Sequence, residues 1–95
     1  MNKYEVIVIL SAKLEEEART AALDKIKGYI ERYNGKVGET EDWGKKRLAY
    51  EIQRETEGFY YTVSFEGDAE TPNGLESHIR IMEPVLRYLV IRKDD

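Results

Sequence analysis

The 95-residue chain contains no cysteine, so it has no disulfide, no thiol nucleophile and no zinc–thiolate site. This absence fits a reducing, intracellular compartment. No run approaches the roughly 20 apolar residues of a membrane-spanning helix, and the N-terminus lacks the small-residue cleavage site of a signal peptide. With 36% charged and 41% hydrophobic residues, the composition is typical of one globular domain. We expect that domain to span residues 1–95, with the last few residues frayed.

The chain also has few of the side chains that enzymes use. Its single histidine, His78, falls within a predicted helix, where a surface or rim position is usual. No phosphate-binding glycine loop, catalytic triad or metal-spaced set of histidines and aspartates is present. Glu39 and Glu41 share one face of a predicted strand and could serve acid–base chemistry, but a solvated edge that resists strand pairing is the simpler interpretation. We predict a protein that is not an enzyme and needs no metal or cofactor.

Charge is unevenly distributed along the sequence. The net charge of -4 argues weakly against general coating of a nucleic acid. Residues 43–54 nevertheless set four basic residues against one acidic residue: Lys45, Lys46, Arg47 and Arg54 against Glu51. Residues 78–93 repeat this balance: Arg80, Arg87, Arg92 and Lys93 against Glu83. Such clusters can neutralise a few phosphates, and the alternative is that they are ordinary solvated faces.

Hydrophobic periodicity predicts four strands and two helices. The predicted strands are β-branched or alternating runs at residues 3–10, 36–52, 58–66 and 85–92. A first helix is predicted over 14–34, because apolar residues recur at spacings of three and four: Ala18, Ala22, Ile26, Ile30 and Tyr33. A second helix begins near Asp68 or Thr71, buries Leu75, Ile79 and Met82, and ends at Glu83 and Pro84. Gly38 and Gly44 predict bends or a bulge in the second strand.

The order βαββαβ predicts an α+β fold, the ferredoxin-like plait. In that plait a four-stranded antiparallel sheet carries both helices on one face. The same fold serves RNA-recognition modules, small-molecule regulatory domains, metal carriers and a few small enzymes. The fold therefore does not name a function.

The third strand, GFYYTVSF at 58–65, looks like the signature strand of an RNA recognition motif. Its phase is wrong for base stacking, because the aromatic positions share parity with the two residues that should point into the core. We therefore predict that Phe59, Tyr61, Val63 and Phe65 are core residues. For Trp43, the only tryptophan, packing on the hairpin is the default and a stacking anchor is the alternative.

Period-two alternation also predicts what the face opposite the helices carries. With the first, third and fourth strands adjacent, five residues form an uncovered apolar patch: Ile7, Ile9, Tyr60, Leu89 and Ile91. A monomer seldom exposes a large contiguous apolar patch without a use. We favour a partner site. The alternative is that loops or the irregular second strand fold over the patch.

Four segments together resemble one known family. They are KYEV at 3–6, GKKRLAY at 44–50, GFYY at 58–61 and RYLVIRK at 87–93. Over essentially its whole length the chain is similar to the family of protein six of the bacterial small ribosomal subunit. Two features depart from that pattern: Glu51 stands where relatives often have proline, and the chain stops at Asp95 where many relatives have a longer, often acidic tail.

The resemblance implies a structural, ribosome-associated protein of the cytoplasm, with the plait fold and with no membrane or small-molecule substrate. It would bind the central domain of the small-subunit rRNA as a heterodimer with ribosomal protein eighteen. Predicted RNA contacts, to phosphates or grooves, are Lys3, Lys45, Lys46, Arg47, Arg80, Arg87 and Arg92, and Tyr50 would support a sugar or base edge. Predicted partner contacts are Ile7, Ile9, Tyr60, Leu89 and Ile91. The rival interpretation is a ferredoxin-like module for small-molecule regulation or dimerisation.

Overall fold

A computed structural model describes residues 1–93, so the expected fraying at Asp94 and Asp95 lies outside the described residues. The elements follow the predicted order: β1 (Asn2–Ser11), α1 (Glu16–Arg32), β2 (Lys36–Ile52), β3 (Glu55–Gly67), α2 (Glu70–Ile79) and β4 (Val85–Lys93). Within the described residues, neither helix is long and apolar enough to cross a membrane.

The four strands form one antiparallel sheet in the order β2-β3-β1-β4, which confirms the predicted plait. Strand β1 pairs with β3 from Asn2↔Gly67 to Ser11↔Gly58 and pairs with β4 along its other edge. Strands β1 and β3 each have a neighbour on both sides, and the apolar sequence of β1 is typical of such a central position. The edge strands of the sheet are β2 and β4.

One face of the sheet, called the covered face below, packs against both helices. The strand residues buried there are Tyr4, Val6, Val8, Leu10, Tyr61, Val63, Phe65 and Val85, with Phe59 packed at the margin. The helices supply Ala22, Leu23, Ile26, Ile30, Leu75 and Ile79 to the same core. The predicted core role of the third strand is therefore confirmed. This packing leaves the opposite side, called the open face below, without a helix.

Both helices differ in detail from the prediction. In α1, Ala18 is exposed and Leu23 is buried instead, so the apolar stripe is rotated from the one predicted. Helix α2 ends at Ile79, before the predicted stop at Glu83. The N–H of Met82 already donates to the Ile79 carbonyl at 3.1 Å, so a tight turn replaces the last predicted helical turn.

Strand β2 is irregular, as its glycines predicted. Its register against β3 shifts between Val37 and Thr40, where Gly38 lies, and again between Asp42 and Gly44. Gly44 has a φ of 81°, a left-handed conformation that glycine adopts without strain. A third shift precedes the hairpin turn at residues 53–54, which is shorter than the predicted turn over 53–57 because β3 begins at Glu55.

Candidate functional site

The open face is built by alternate residues of β1, β3 and β4. Strand register aligns Leu89, Ile7 and Thr62 in one row across the middle of the sheet. Directly paired residues of antiparallel strands point to the same side, so these three side chains share the open face. The predicted alternation of faces is therefore confirmed.

The apolar part of the open face is accessible along the β4 edge. Leu89 is 55% exposed and Ile91 is 38% exposed, both large for aliphatic side chains. Ile7 and Tyr60 are partly buried beside them. Four of the five predicted partner residues therefore present surface that another molecule could cover, while their role in binding stays a prediction.

Ile9 is the exception, and the expectation that it is uncovered is wrong. It lies on the predicted face but is only 8% exposed. Its Cγ2 sits 2.6 Å from where a Cβ on Gly58 would be, so it packs directly on β3. It also lines a cavity of about 160 Å³ together with Leu48 and Ile52 of β2. At this corner the irregular second strand does fold over the patch, which was the alternative left open by the sequence.

Trp43 is part of the open face, although the sequence did not assign it there. It is the extra residue at the register shift between Asp42 and Gly44, and its indole Nε1 donates to Thr62 Oγ1 at 2.8 Å. The side chain remains 52% exposed, with the Lys46 ammonium 5.6 Å from the ring centroid. Because a bulge breaks the period-two count, parity alone could not place this ring.

Basic side chains from β4 and from the end of α2 lie close together at the hairpin end of the sheet. Arg87 lies beside Ile9 in the register and donates a hydrogen bond to the exposed Tyr50 hydroxyl. Arg80, at the end of α2, lines the same polar cavity of about 310 Å³ as Arg87. The structure thus brings together three predicted RNA contacts that lie up to 37 residues apart in the chain.

The run of basic residues in β2 is divided between the two sides of the hairpin. Lys46 is paired with Gly58 and points to the open-face side, over Trp43. Lys45 and Arg47 are paired with β3 residues of the opposite parity and point to the other side. All three side chains are exposed, but they do not form one patch.

The remaining predicted RNA contacts, Lys3 and Arg92, lie at the opposite end of the sheet. Lys3 stands next to Lys93 in the register, and Arg92 donates to Asn2 Oδ1 at 2.9 Å. Lys36 joins Lys3 on the open-face side, because Glu66 pairs with both, whereas Arg92 pairs with Tyr4 and points to the covered side. Sequence reasoning missed Lys36, which lies outside both basic clusters and reaches this end only through strand register.

The remaining candidate residues are His78 and the carboxylates Glu39 and Glu41. His78 stacks on Tyr29 with ring centroids 4.4 Å apart, and its Nε2 is 2.9 Å from the Tyr33 hydroxyl. Glu39 and Glu41 are exposed on the β2 edge. Over residues 1–93, no group of three or more histidine, aspartate or glutamate side chains is placed to hold a metal ion.

Comparisons with known proteins agree with one another. A family model described as Ribosomal protein S6 matches residues 3–92. Small ribosomal subunit protein bS6 of Alkaliphilus oremlandii is 42% identical over 92 residues, which is 97% of each chain. The corresponding protein of Clostridium novyi is 39% identical over 94 residues, which is 99% of each chain. A crystal structure of 30S ribosomal protein S6 from Thermotoga maritima superposes with a TM-score of 0.91 at 29% identity, covering 97% of this chain and 87% of that one.

Proposed function

The chain belongs to the ribosomal protein S6 family, and on that premise we propose that it binds the central domain of the small-subunit rRNA as a heterodimer with ribosomal protein eighteen. As a member of this family it is a structural, non-enzymatic component of the small ribosomal subunit in the cytoplasm. Residues 1–95 act as one domain in this proposal.

The observation that carries the proposal is the division of the open face. Exposed aliphatic side chains, Leu89 and Ile91, lie between two groups of basic residues. One group surrounds Arg87 at the hairpin end, and the other surrounds Lys3 at the far end. Apolar surface favours a protein contact, and cations at its margins favour phosphates. One face can therefore meet a protein and an RNA at the same time.

The predicted RNA residues would act as phosphate or groove contacts and not as base readers. Lys and Arg side chains at the ends of the sheet can reach phosphates without entering a groove deeply. Tyr50 would act with Arg87, because its hydroxyl accepts the hydrogen bond that holds the guanidinium. The net charge of -4 makes binding by this chain alone weak, so a basic partner would share the neutralisation of phosphates.

The test is assembly on an rRNA fragment that contains the central domain, with and without ribosomal protein eighteen, at two salt concentrations. We expect tight, salt-sensitive binding only when both proteins are present. No binding in either case, with all components folded, would contradict the proposal. That outcome would favour the rival module for small-molecule regulation or dimerisation.

The Arg87→Ala variant tests the RNA side of the proposal. We expect it to weaken assembly and to lower the slope of log affinity against log salt by about one phosphate contact, because one cation is removed. Lys25→Ala is the matched control, since Lys25 is an exposed cation on α1, in the helix layer. An unchanged slope for Arg87→Ala, in a folded variant, would remove Arg87 from the RNA surface.

A further inference from the structure

We propose that Trp43 anchors the protein-binding part of the open face and that the partner segment seated on it is basic. This inference rests on the proposed function and deepens it, because it names the side chain that would contribute most to binding ribosomal protein eighteen. The sequence placed five apolar residues on this face and did not include Trp43.

The first argument is position. The row Leu89, Ile7 and Thr62 crosses three strands of the open face, and Trp43 closes that row at the β2 side by binding Thr62. Accessible apolar side chains therefore lie on both edge strands, Leu89 on β4 and Trp43 on β2, with Ile7 partly accessible between them. An extended contact of this kind suits a polypeptide, which can place one side chain after another along it.

The second argument is that the indole ring of Trp43 is already held in place before any partner binds. Its one polar group, the indole N–H, already donates to Thr62 at 2.8 Å, so a partner need not satisfy it. The Lys46 ammonium near the ring further restricts its orientation. A half-exposed tryptophan held in place loses little conformational freedom on binding and buries a large area, which is how interface hot spots behave.

The third argument is charge, and it decides between a protein and a nucleobase. Exposed acidic residues precede Trp43 on the same edge strand, and one of them, Glu41, pairs with Thr62 and so shares the open face with the ring; the others are Glu39 and Asp42. Phosphates that flank a stacked base would be repelled by these carboxylates. A basic polypeptide would be attracted to them. Lys46 is the one predicted RNA cation beside the ring, and the other basic groups lie farther away, around Arg87 at the hairpin end and around Lys3 at the far end.

The chain has one tryptophan, so labelling with 5-fluorotryptophan gives a single ¹⁹F NMR resonance that reports on this site. Purified ribosomal protein eighteen and the central-domain RNA are added separately to the full chain. We expect the resonance to move with the protein and to stay in place with the RNA alone. Movement with the RNA alone would assign the ring to base stacking and overturn the inference.

Substitutions test whether Trp43 itself contributes to binding. We expect Trp43→Ala to weaken binding of ribosomal protein eighteen about tenfold or more, as removal of a central anchor does. Ile81→Ala is the matched control, because Ile81 is an exposed apolar residue outside the sheet and should have no effect. Circular dichroism checks the fold of both variants, and Trp43→Phe, which keeps a ring, should retain more of the binding than Trp43→Ala.

Charge reversal tests the basic character of the partner. We expect Glu41→Lys to slow association and weaken binding more at low salt than at high salt. Glu16→Lys makes the same change in net charge on α1 and should leave binding unaltered. If the unaltered chain binds the partner but neither Trp43→Ala nor Glu41→Lys matters, the inference is wrong and the proposed function stands. If the unaltered chain does not bind it, both fail.

Discussion

The two faces of β1 carry the same kinds of residue and yet have different fates. Val6, Val8 and Leu10 on the covered face are completely buried. Ile7, which alternates with them on the open face, stays partly accessible, and its neighbour in β4, Leu89, is 55% exposed. The composition of the strand thus shows that both of its faces are apolar. Which face the helices bury depends on the rest of the chain.

The comparison shows where the chain stabilises itself and where it has surface for something else. Two helices pack on the covered face. Among the described residues, the open face is covered only in part, by Leu48 and Ile52 of β2 and by Trp43. Each large aliphatic side chain fully buried from water contributes roughly 1.5–3 kcal/mol. On the covered face that free energy stabilises the fold, and on the open face it is available for assembly. Five substitutions would break or sharpen this division.

The largest expected effect is on the covered face. We expect Phe65→Ala to lower the free energy of unfolding by about 3–5 kcal/mol, because it leaves a cavity in the core and removes the stacking with Tyr4. Urea denaturation of the isolated chain measures this loss.

Leu89→Ala is the matched change on the open face, and we expect it to alter the free energy of unfolding by less than about 0.5 kcal/mol. Its effect should appear in the affinity for ribosomal protein eighteen. A comparable loss of stability in both variants would mean that the two faces are not distinct in the way that burial indicates.

Ile9 sharpens the comparison, because it lies on the open face but is buried by β2. We expect Ile9→Ala to lower the free energy of unfolding by about 2 kcal/mol or more, as for other buried aliphatic residues. Urea denaturation measures the change, with Leu89→Ala again as the exposed control. If Ile9→Ala left stability unaltered and weakened only partner binding, the corner would be open in solution.

These two residues also show how far the sequence could predict the structure. Period-two alternation assigned both Ile9 and Leu89 to the correct face, because it depends only on backbone geometry within one strand. The cover over Ile9 depends on the path of residues 48–52 after a register shift, which involves contacts between strands. Alternation within one strand carries no information about such a contact.

The candidate site, too, could be predicted from the sequence only in part. The basic clusters were visible in the sequence, but their arrangement was not, because Lys45, Lys46 and Arg47 separate onto two sides once the hairpin pairs. The bulge at Gly44 was predicted from the glycine itself. Its consequence, a tryptophan turned onto the open face, required knowing where the hydrogen bond to Thr62 would form.

A smaller effect is expected where Tyr50 holds Arg87. Tyr50→Phe keeps the ring and removes only the hydroxyl that accepts the hydrogen bond from the guanidinium. We expect RNA assembly to weaken by about 0.5–1.5 kcal/mol, the net value of one such bond, with no change in stability.

A double-mutant cycle decides whether Tyr50 acts through Arg87. In the Arg87→Ala background, Tyr50→Phe should have no further effect on assembly, because the group that it positions is already gone. Equal effects in both backgrounds would show that the Tyr50 hydroxyl contacts the RNA independently.

A small effect on stability is also expected for the ion pair at the far end of the open face. Lys93 Nζ lies 3.1 Å from Glu5 Oε2, and their side chains are 55% and 17% exposed. Since water and salt screen a pair this accessible, we expect Glu5→Gln to change the free energy of unfolding by less than about 1 kcal/mol and the change to shrink at high salt. Glu16→Gln on α1 controls for the altered net charge. Urea denaturation measures the change. A salt-independent loss of several kcal/mol would mean that this end of the open face belongs to the folding core. The two faces would then not differ in their contribution to stability.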